Sequence, residues 1–297
     1  MAERDTELSH IIVCVDKRVP ERDISAFCTN AKSEKPGLGF TYLCYDNQSD
    51  EDPINLINSV IEKPDSLFII TDSKAVLMEA AGRGIACAAL STDMNAPEDL
   101  MSALYCIEDI EYMDLSRINR MWMRHHGFPW TITVTDRLII REQTEEDLNR
   151  LYEIYDDEEI RRFVEPLYEE YEKEREYLLD YIANQYRFHE YGLWALTLKD
   201  GGELIGRAGF SVREGYDIPE LGYVIGRDYR GRGYAKEALC AIMDYGKEEL
   251  GLCEYMAFCD RENTASVRLL ESLGFSRSGR DEIMGRMHER YLLTLRQ

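Results

Sequence analysis

The residues whose types and spacing suit chemistry gather at Arg230-Gly231-Arg232-Gly233-Tyr234-Ala235, between a strand-like run at 221–225 and a helix-patterned stretch at 236–250. Two glycines at such a junction let the backbone turn tightly and bring several N–H groups to one point. The helix N-terminus adds its partial positive charge there. Such a turn is suited to an anion, above all a phosphate. A Gly-rich strand-to-helix turn is also used purely structurally, so the flanking chain has to decide between the two.

The chain that must position this turn has 297 residues, enough for two ordinary domains that each bury a core. Its hydrophobic share of 44% is that of a globular protein, and no apolar run is long enough for a membrane span. The first residues are charged and lack the apolar centre of a signal peptide, so a cytoplasmic location is expected. The eight cysteines (14, 28, 44, 87, 106, 240, 253 and 259) form no CxxC pair and have no histidine at ligand spacing, which reads as buried free thiols rather than disulfides or zinc. The adjacent His125 and His126 point apart on any regular element, so no metal site is expected there. A formal net charge of -22 argues against nucleic-acid binding and favours an amine or basic partner, or simply a soluble acidic surface.

Strand-like runs at 11–15, 40–45, 67–70 and 85–90 alternate with helical spacing at 54–62 and 74–81, which predicts a parallel, doubly wound sheet. Helical patterns follow at 97–104 and 113–123, and Gly127 and Pro129 break the chain, placing a domain boundary at 130/131. Residues 67–90, a strand ending in Thr71-Asp72-Ser73 followed by an Ala-rich helix and another strand, resemble the later core of haloacid-dehalogenase-like (HAD-like) hydrolases. That family carries an Asp-x-Asp pair after its first strand. Here Asp16-Lys17-Arg18 has an arginine at the second position, and a lone aspartate cannot both attack a phosphate and handle the leaving group's proton. Residues 1–130 are therefore expected to be a HAD-like Rossmannoid domain without catalysis. Asp72, at a strand's C-terminal end, remains where such sheets bind small molecules.

In the second half a strand at 137–142 precedes a helix opening at Thr144 and reaching Tyr155. A helix-patterned stretch at 159–189 is rich in glutamate and tyrosine, which packs a core or suits an amine-bearing substrate. Strands are expected at 193–199, 204–212 and 220–225, the first two joined by a hairpin turn at Asp200-Gly201-Gly202. A strand at 254–260, a helix at 263–273 and a final strand at 291–295 complete an α+β domain with a mixed sheet over residues 131–297.

Four blocks in order, Thr135 to Arg141, Glu220 to Ile225, Arg230-x-x-Gly233-x-Ala235, and Asn263-x-x-Ser266 with Leu269 to Phe275, resemble the GNAT family of N-acetyltransferases, and more narrowly its branch acting on ribosomal-protein N-termini. The resemblance implies a GNAT fold with a mixed, mostly antiparallel sheet, and acetyl-CoA as co-substrate. It puts the pyrophosphate on the N–H groups of Gly231, Arg232, Gly233, Tyr234 and Ala235. Arg230 and Arg232 add charge or face solvent. Main-chain groups near Val224 and Ile225 would hold the pantetheine and polarise the thioester carbonyl. Glu220, which starts the strand entering the loop, is the candidate base, acting through water, or else a surface or ion-paired glutamate. Many relatives place a tyrosine proton donor seven residues after the Asn; here that position is Leu270, which leaves Ser266 as the substitute donor or as an ordinary helix residue. Asn263 fixes the cofactor or caps its helix. The expected activity is acetyl transfer to a primary amine, on a small molecule or a protein N-terminus, by direct attack on the thioester. The alternatives are a non-catalytic acetyl-CoA sensor or a phosphatase–acetyltransferase fusion.

Overall fold

Continuous apolar runs cannot show a face to water, and in the N-terminal half they become the centre of a sheet. The computed structural model describes residues 6–48, 52–283 and 285–295 and divides into two units, Met1–Phe128 and Pro129–Gln297. In the first unit β1 (His10–Asp16), α1 (Glu21–Glu34), β2 (Gly39–Tyr45), α2 (Pro53–Asn58), β3 (Leu67–Thr71), α3 (Lys74–Gly82), β4 (Ala86–Leu90), α4 (Pro97–Leu100), β5 (Cys106–Ile107) and α5 (Leu115–His125) follow one another. All ladders are parallel, in the order β2-β1-β3-β4-β5. The direction of the chain therefore reverses between β1 and β3, at whose C-terminal ends Asp16 and Asp72 stand.

The second unit runs β6 (Thr131–Val134), β7 (Leu138–Arg141), α6 (Leu148–Tyr155), α7 (Glu158–Phe163), α8 (Tyr171–His189), β8 (Leu193–Leu198), β9 (Leu204–Ser211), β10 (Glu220–Ile225), α9 (Tyr234–Glu248), β11 (Glu254–Cys259), α10 (Thr264–Ser272), β12 (Ser276–Ile283) and β13 (Arg286–Thr294). Its sheet has the order β12-β13-β11-β10-β9-β8-β7-β6, antiparallel throughout except between β10 and β11. Alternation along β10 sends Leu221 and Ile225 into the core with Ala238, Leu239 and Ile242 of α9. Val224 goes to the other face, with Leu151, Ile154 and Tyr155 of α6 and Ile160 of α7.

Four expectations need correction. The helical stretch at 159–189 is two helices, because Pro166 follows an extended Val164 and interrupts the backbone bonding. The strands β6 and β12 were not anticipated. Each lies at a sheet edge, and β12 is too polar to show alternation, every one of its residues being exposed or half-buried. The final strand starts at Arg286, five residues before the expected 291, for the same reason. The cysteines are free, but only Cys14 and Cys259 are buried, while Cys44 and Cys106 are exposed. No helix is long and apolar enough to cross a membrane among the described residues.

Candidate active site

The Gly-rich turn is built as an open helix end. Gly231 and Gly233 have φ of +72° and +82°, a region L side chains avoid, so both turns depend on glycine. Gly233 is the N-cap of α9 and has no side chain with which to cap it. The first intrahelical bond is from Glu237 N to Gly233 O, which leaves the amides of Tyr234, Ala235 and Lys236 directed out of the helix end. A clamp holds this end in place. Arg137 donates from Nε to Glu237 Oε2 at 2.7 Å and from Nη1 to the Arg232 carbonyl at 3.0 Å, and its guanidinium lies 4.2 Å from the Tyr234 ring centroid. Burial opposes ionisation of Glu237, yet the bonds from Thr135 and Arg137 outweigh it and hold its carboxyl below the ordinary value.

Arg230 is not a free cation for a phosphate. Its Nη2 lies 2.9 Å from Asp157, its Nη1 2.6 Å from Glu159, and its Nε donates to the Ile225 carbonyl at 3.0 Å. It ties the loop to α7 and to the end of β10. Arg232 is exposed and contributes its carbonyl to the Arg137 clamp. A cation outside the motif, Lys236 in the first turn of α9, lines the cavity next to the glycines. Because Arg230 acts on loop position alone, Arg230→Ala is expected to raise the KM for the phosphate-bearing ligand roughly 10-fold with little change in kcat. Steady-state kinetics check this, and an equal fall in kcat would place Arg230 in the chemistry instead.

Beyond the loop the sheet opens. β10 is bonded to β9 along its whole length, from Glu220↔Ser211 to Ile225↔Gly206. With β11 it shares a single bridge, Glu220↔Met256. From Leu221 onward the β11 edge of β10 therefore has no strand partner, and main-chain groups near Val224 and Ile225 border the gap. Tyr223 on β10 reaches across toward α10, where its hydroxyl lies 2.8 Å from Ser266 Oγ. Asn263 caps α10 by accepting from Ser266 N at 3.1 Å, so it orients the helix turn that carries this hydroxyl.

Two hollows meet at this point. A cavity of about 280 Å³ is lined by Arg230, Gly231, Gly233, Tyr234, Ala235, Val224, Ile225, Tyr223, Asn263 and Ser266. A cleft of about 1200 Å³ is lined by Glu220, Tyr223, Val224, Asn263 and Ser266 together with Tyr177, Tyr181, Arg207 and acidic side chains such as Glu174 and Asp260. The two share Phe163, Val164, Tyr223, Val224, Asn263 and Ser266. Of the cofactor and catalytic candidates that the family resemblance named, only Arg232 lies outside both hollows, and Glu220 belongs to the cleft alone. Glu220 Oε2 accepts from Arg213 at 2.5 Å, while Oε1 has no partner among the described residues.

Tyr223 is the group the sequence reading passed over. It sits in the fourth position of the Glu220–Ile225 strand, where it looked like one more β-forming aromatic. Burial raises its pKa above the ordinary tyrosine value, partly offset by the bond to Ser266, so the hydroxyl keeps its proton through the neutral range. A half-buried phenol bonded to a serine hydroxyl beside an open strand edge can pass a proton to an anion leaving at that edge.

In the N-terminal unit the corresponding question concerns Asp16. Its Oδ1 accepts from Arg18 N at 2.9 Å and Arg18 Nε at 2.7 Å, and its Oδ2 from Asn47 N at 3.1 Å and Arg18 Nη2 at 3.2 Å. The Arg18 guanidinium, aided by the two backbone amides, outweighs desolvation and holds the carboxyl down to about 2. Asp72 accepts from Tyr45 Oη at 2.8 Å and from Asp16 N, and burial raises its pKa. The Asp72 carboxylate thus ties the β3 end to β1 and to Tyr45 of β2, while the Asp16 carboxylate ties the turn after β1 to Asn47 just past β2. Among the described residues no group of three or more His, Cys, Asp or Glu is arranged for a metal.

Comparison with known proteins is informative for the second unit. An acetyltransferase (GNAT) domain family matches residues 137–276. An uncharacterised N-acetyltransferase of Bacillus licheniformis is 29% identical over 167 residues, spanning 54% of this chain and 93% of the relative. Another, of Bacillus subtilis, is 30% identical over 149 residues, spanning 50% and 84%. The ribosomal protein uS5-alanine N-acetyltransferase of Escherichia coli is 33% identical over 153 residues, spanning 49% and 78%. Among solved structures, a ribosomal-protein alpha-N-protein acetyltransferase superposes with a TM-score of 0.50 at 16% identity, over 57% of this chain and 97% of that one. At that identity the likeness speaks for the fold alone.

Proposed function

Because the chain belongs to the GNAT family of N-acetyltransferases, we propose that its C-terminal unit moves an acetyl group from acetyl-CoA to a primary amine by direct attack on the thioester, the acceptor being a small molecule or a protein N-terminus. The observation that carries this reading is the junction of the two hollows at the unpaired edge of β10. One side offers helix-end amides to a pyrophosphate, the other an acidic, aromatic cleft to an amine. The co-substrate supplies an activated acetyl thioester; the remaining steps belong to this chain's own groups.

The amides of Gly231 to Ala235 hold the phosphates, with Arg137 and Arg230 fixing the loop and Lys236 adding charge. Main-chain groups near Val224 and Ile225, released from strand pairing, hold the pantetheine arm and the thioester carbonyl. The Ile225 carbonyl is already taken by Arg230, so the pantetheine contacts fall to the other groups along that edge. An ammonium has no lone pair and must lose a proton before it attacks. Glu220, with Oε1 facing the cleft and Oε2 fixed by Arg213, accepts that proton through water. Ser266 gives a proton to the departing thiolate and recovers one from Tyr223, which regains its own through water from the proton that the nitrogen sheds as the amide forms. Asn263 acts through the cap of α10.

The N-terminal unit is read as a HAD-like module without catalysis. Support comes from Asp16, whose carboxylate oxygens are fully engaged by Arg18 and Asn47 and are not free to attack a phosphate.

The test is CoA release from acetyl-CoA with a panel of amines, covering amino acids, polyamines and peptide N-termini, beside calorimetric titration of acetyl-CoA. Turnover with at least one amine is expected. Tight acetyl-CoA binding without turnover on any amine would leave a sensor and not an enzyme.

A further inference from the structure

The cleft is lined by four arginines, Arg161, Arg207, Arg213 and Arg286, and of these Arg207 alone stands at the middle of a sheet strand. Arg207 lies at the middle of β9, opposite Val224 on β10 and Ala195 on β8, on the face where Val224, Ala195, Leu151, Ile154 and Leu204 form an apolar layer. A strand centre facing such a layer ordinarily carries an aliphatic side chain. Arg141, Arg213 and Arg230 in the same unit are each held by a carboxylate. Arg207 forms no ion pair among the described residues. Its Nε donates to Tyr155 Oη at 2.8 Å and its guanidinium stands 4.9 Å from the Tyr155 ring centroid, which leaves both terminal nitrogens without a hydrogen-bond partner there. It is half-buried and lines the cleft. Glu174 acts on it through space but forms no ion pair with it, and a half-buried guanidinium without a direct counter-ion costs stability unless something else supplies the negative charge.

The floor beside it is bare. Glu220, Gly222 and Val224 alternate onto the same face, so Glu220 and Arg207 flank Gly222, where a side chain would meet no atom within 4 Å. The cleft therefore presents a carboxylate with a free oxygen at one end, a guanidinium with free N–H groups at the other, and open space between.

We propose that Arg207 is a specificity residue that binds a carboxylate on the acceptor, so that the preferred acceptors are small amines that also carry a carboxylate. The proposal rests on the acetyltransferase reading of this cleft. The planar fork of an arginine matches a carboxylate with two parallel bonds, while the ammonium end faces Glu220 and the aromatic wall of Tyr177 and Tyr181. The bond to Tyr155 fixes the guanidinium plane at the wall of the cleft.

The experiment uses the full chain with acetyl-CoA and matched acceptors that differ only in the carboxylate, lysine against cadaverine and tyrosine against tyramine, together with a basic peptide N-terminus. In at least one pair the carboxylated member should have kcat/KM higher by about 10- to 100-fold, and in Arg207→Met that ratio should fall to about one. If thermal melting shows that Arg207→Met does not fold, the ratio is read in Arg207→Lys, which keeps a cation but loses the fork and should cut the ratio by roughly threefold or more. A ratio of one or less in every wild-type pair, a ratio that persists in the variants, or a peptide acetylated faster than every carboxylated amine overturns the proposal. No turnover on any acceptor, with acetyl-CoA binding retained by calorimetry, overturns the acceptor assignment while the cofactor cradle stands. Loss of acetyl-CoA binding in the wild type strikes the acetyltransferase reading itself.

Discussion

Replacing Gly233 by glutamate should raise the dissociation constant for acetyl-CoA by at least about 100-fold while leaving the chain folded. Two effects act, and they separate. The first is strain: Gly233 sits at φ +82°, and an L-residue there costs about 1–2 kcal/mol of folded-state stability. The second is charge. A new carboxylate at the N-cap lies in front of the amides of Tyr234 to Lys236 and takes the place meant for a phosphate. Two like charges about 4 Å apart near a protein surface repel by roughly 4 kcal/mol, nearly a thousandfold in affinity. Arg137, whose Nη2 is 3.5 Å from where the new Cβ would stand, would absorb some of that charge, which is why the expected loss is set lower. Gly233→Ala carries the strain without the charge, so its affinity should fall less than about 10-fold. Calorimetry for acetyl-CoA and thermal melting on all three chains give the answer. Wild-type affinity in Gly233→Glu would remove the cradle from the cofactor site.

How far the cradle could be read in advance depended on the range of the interactions involved. Gly231 and Gly233 between a strand pattern and a helix pattern are a local signal, because the φ values they supply belong to neighbouring residues. The strand at Glu220–Ile225 was readable for the same reason. The role of Arg230 was not. In the sequence an arginine beside two glycines looks like a phosphate ligand, and the carboxylates that claim it, Asp157 at the N-cap of α7 and Glu159 in its first turn, lie far along the chain. Glu220 is decided closer by, by Arg213 seven residues earlier in the loop after β9, a pair that no helix or strand period marks.

The misses in the fold have the same cause in a different form. Periodicity reports a buried face, and edge strands have little of one. The run Ser276–Ile283 carries mostly polar side chains, and its pairing with β13 rests on main-chain bonds and on charge pairs such as Arg280 with Glu289. The opening between β10 and β11 was different: each strand reads as ordinary by periodicity, and it was the family resemblance that freed the main-chain groups near Val224 and Ile225, where the single Glu220↔Met256 bridge leaves β10 unpaired. In the N-terminal unit the Asp16-Lys17-Arg18 spacing did carry its information locally. An arginine two residues from an aspartate is close enough to bind it, which is the arrangement found.

The pair formed by Tyr223 and Ser266 leads to the second large effect. Departure of the thiolate benefits from a proton, and a positioned donor contributes about 10²–10⁴ in rate. Ser266→Ala removes the hydroxyl nearest the gap, and Tyr223→Phe removes the group that returns its proton, so each should lower kcat by about 100-fold or more. The two act in series, so the double variant should be no slower than the worse single one by more than about threefold, whereas independent donors would multiply. Neither side chain holds phosphate, and acetyl-CoA affinity should stay within about threefold of wild type in both, as titration will show. The pH profile adds a sign. Tyr223 is raised by burial, the bond to Ser266 offsetting it only in part, so the donor is protonated at neutral pH and is lost only as pH climbs through its elevated pKa. The wild-type kcat should therefore hold on the alkaline side up to that point and then fall, and Tyr223→Phe should lose that fall along with the rate. A Tyr223→Phe enzyme with wild-type kcat beside an impaired Ser266→Ala enzyme would sink the relay and leave Ser266 acting alone, with Tyr223 reduced to a wall of the cavity.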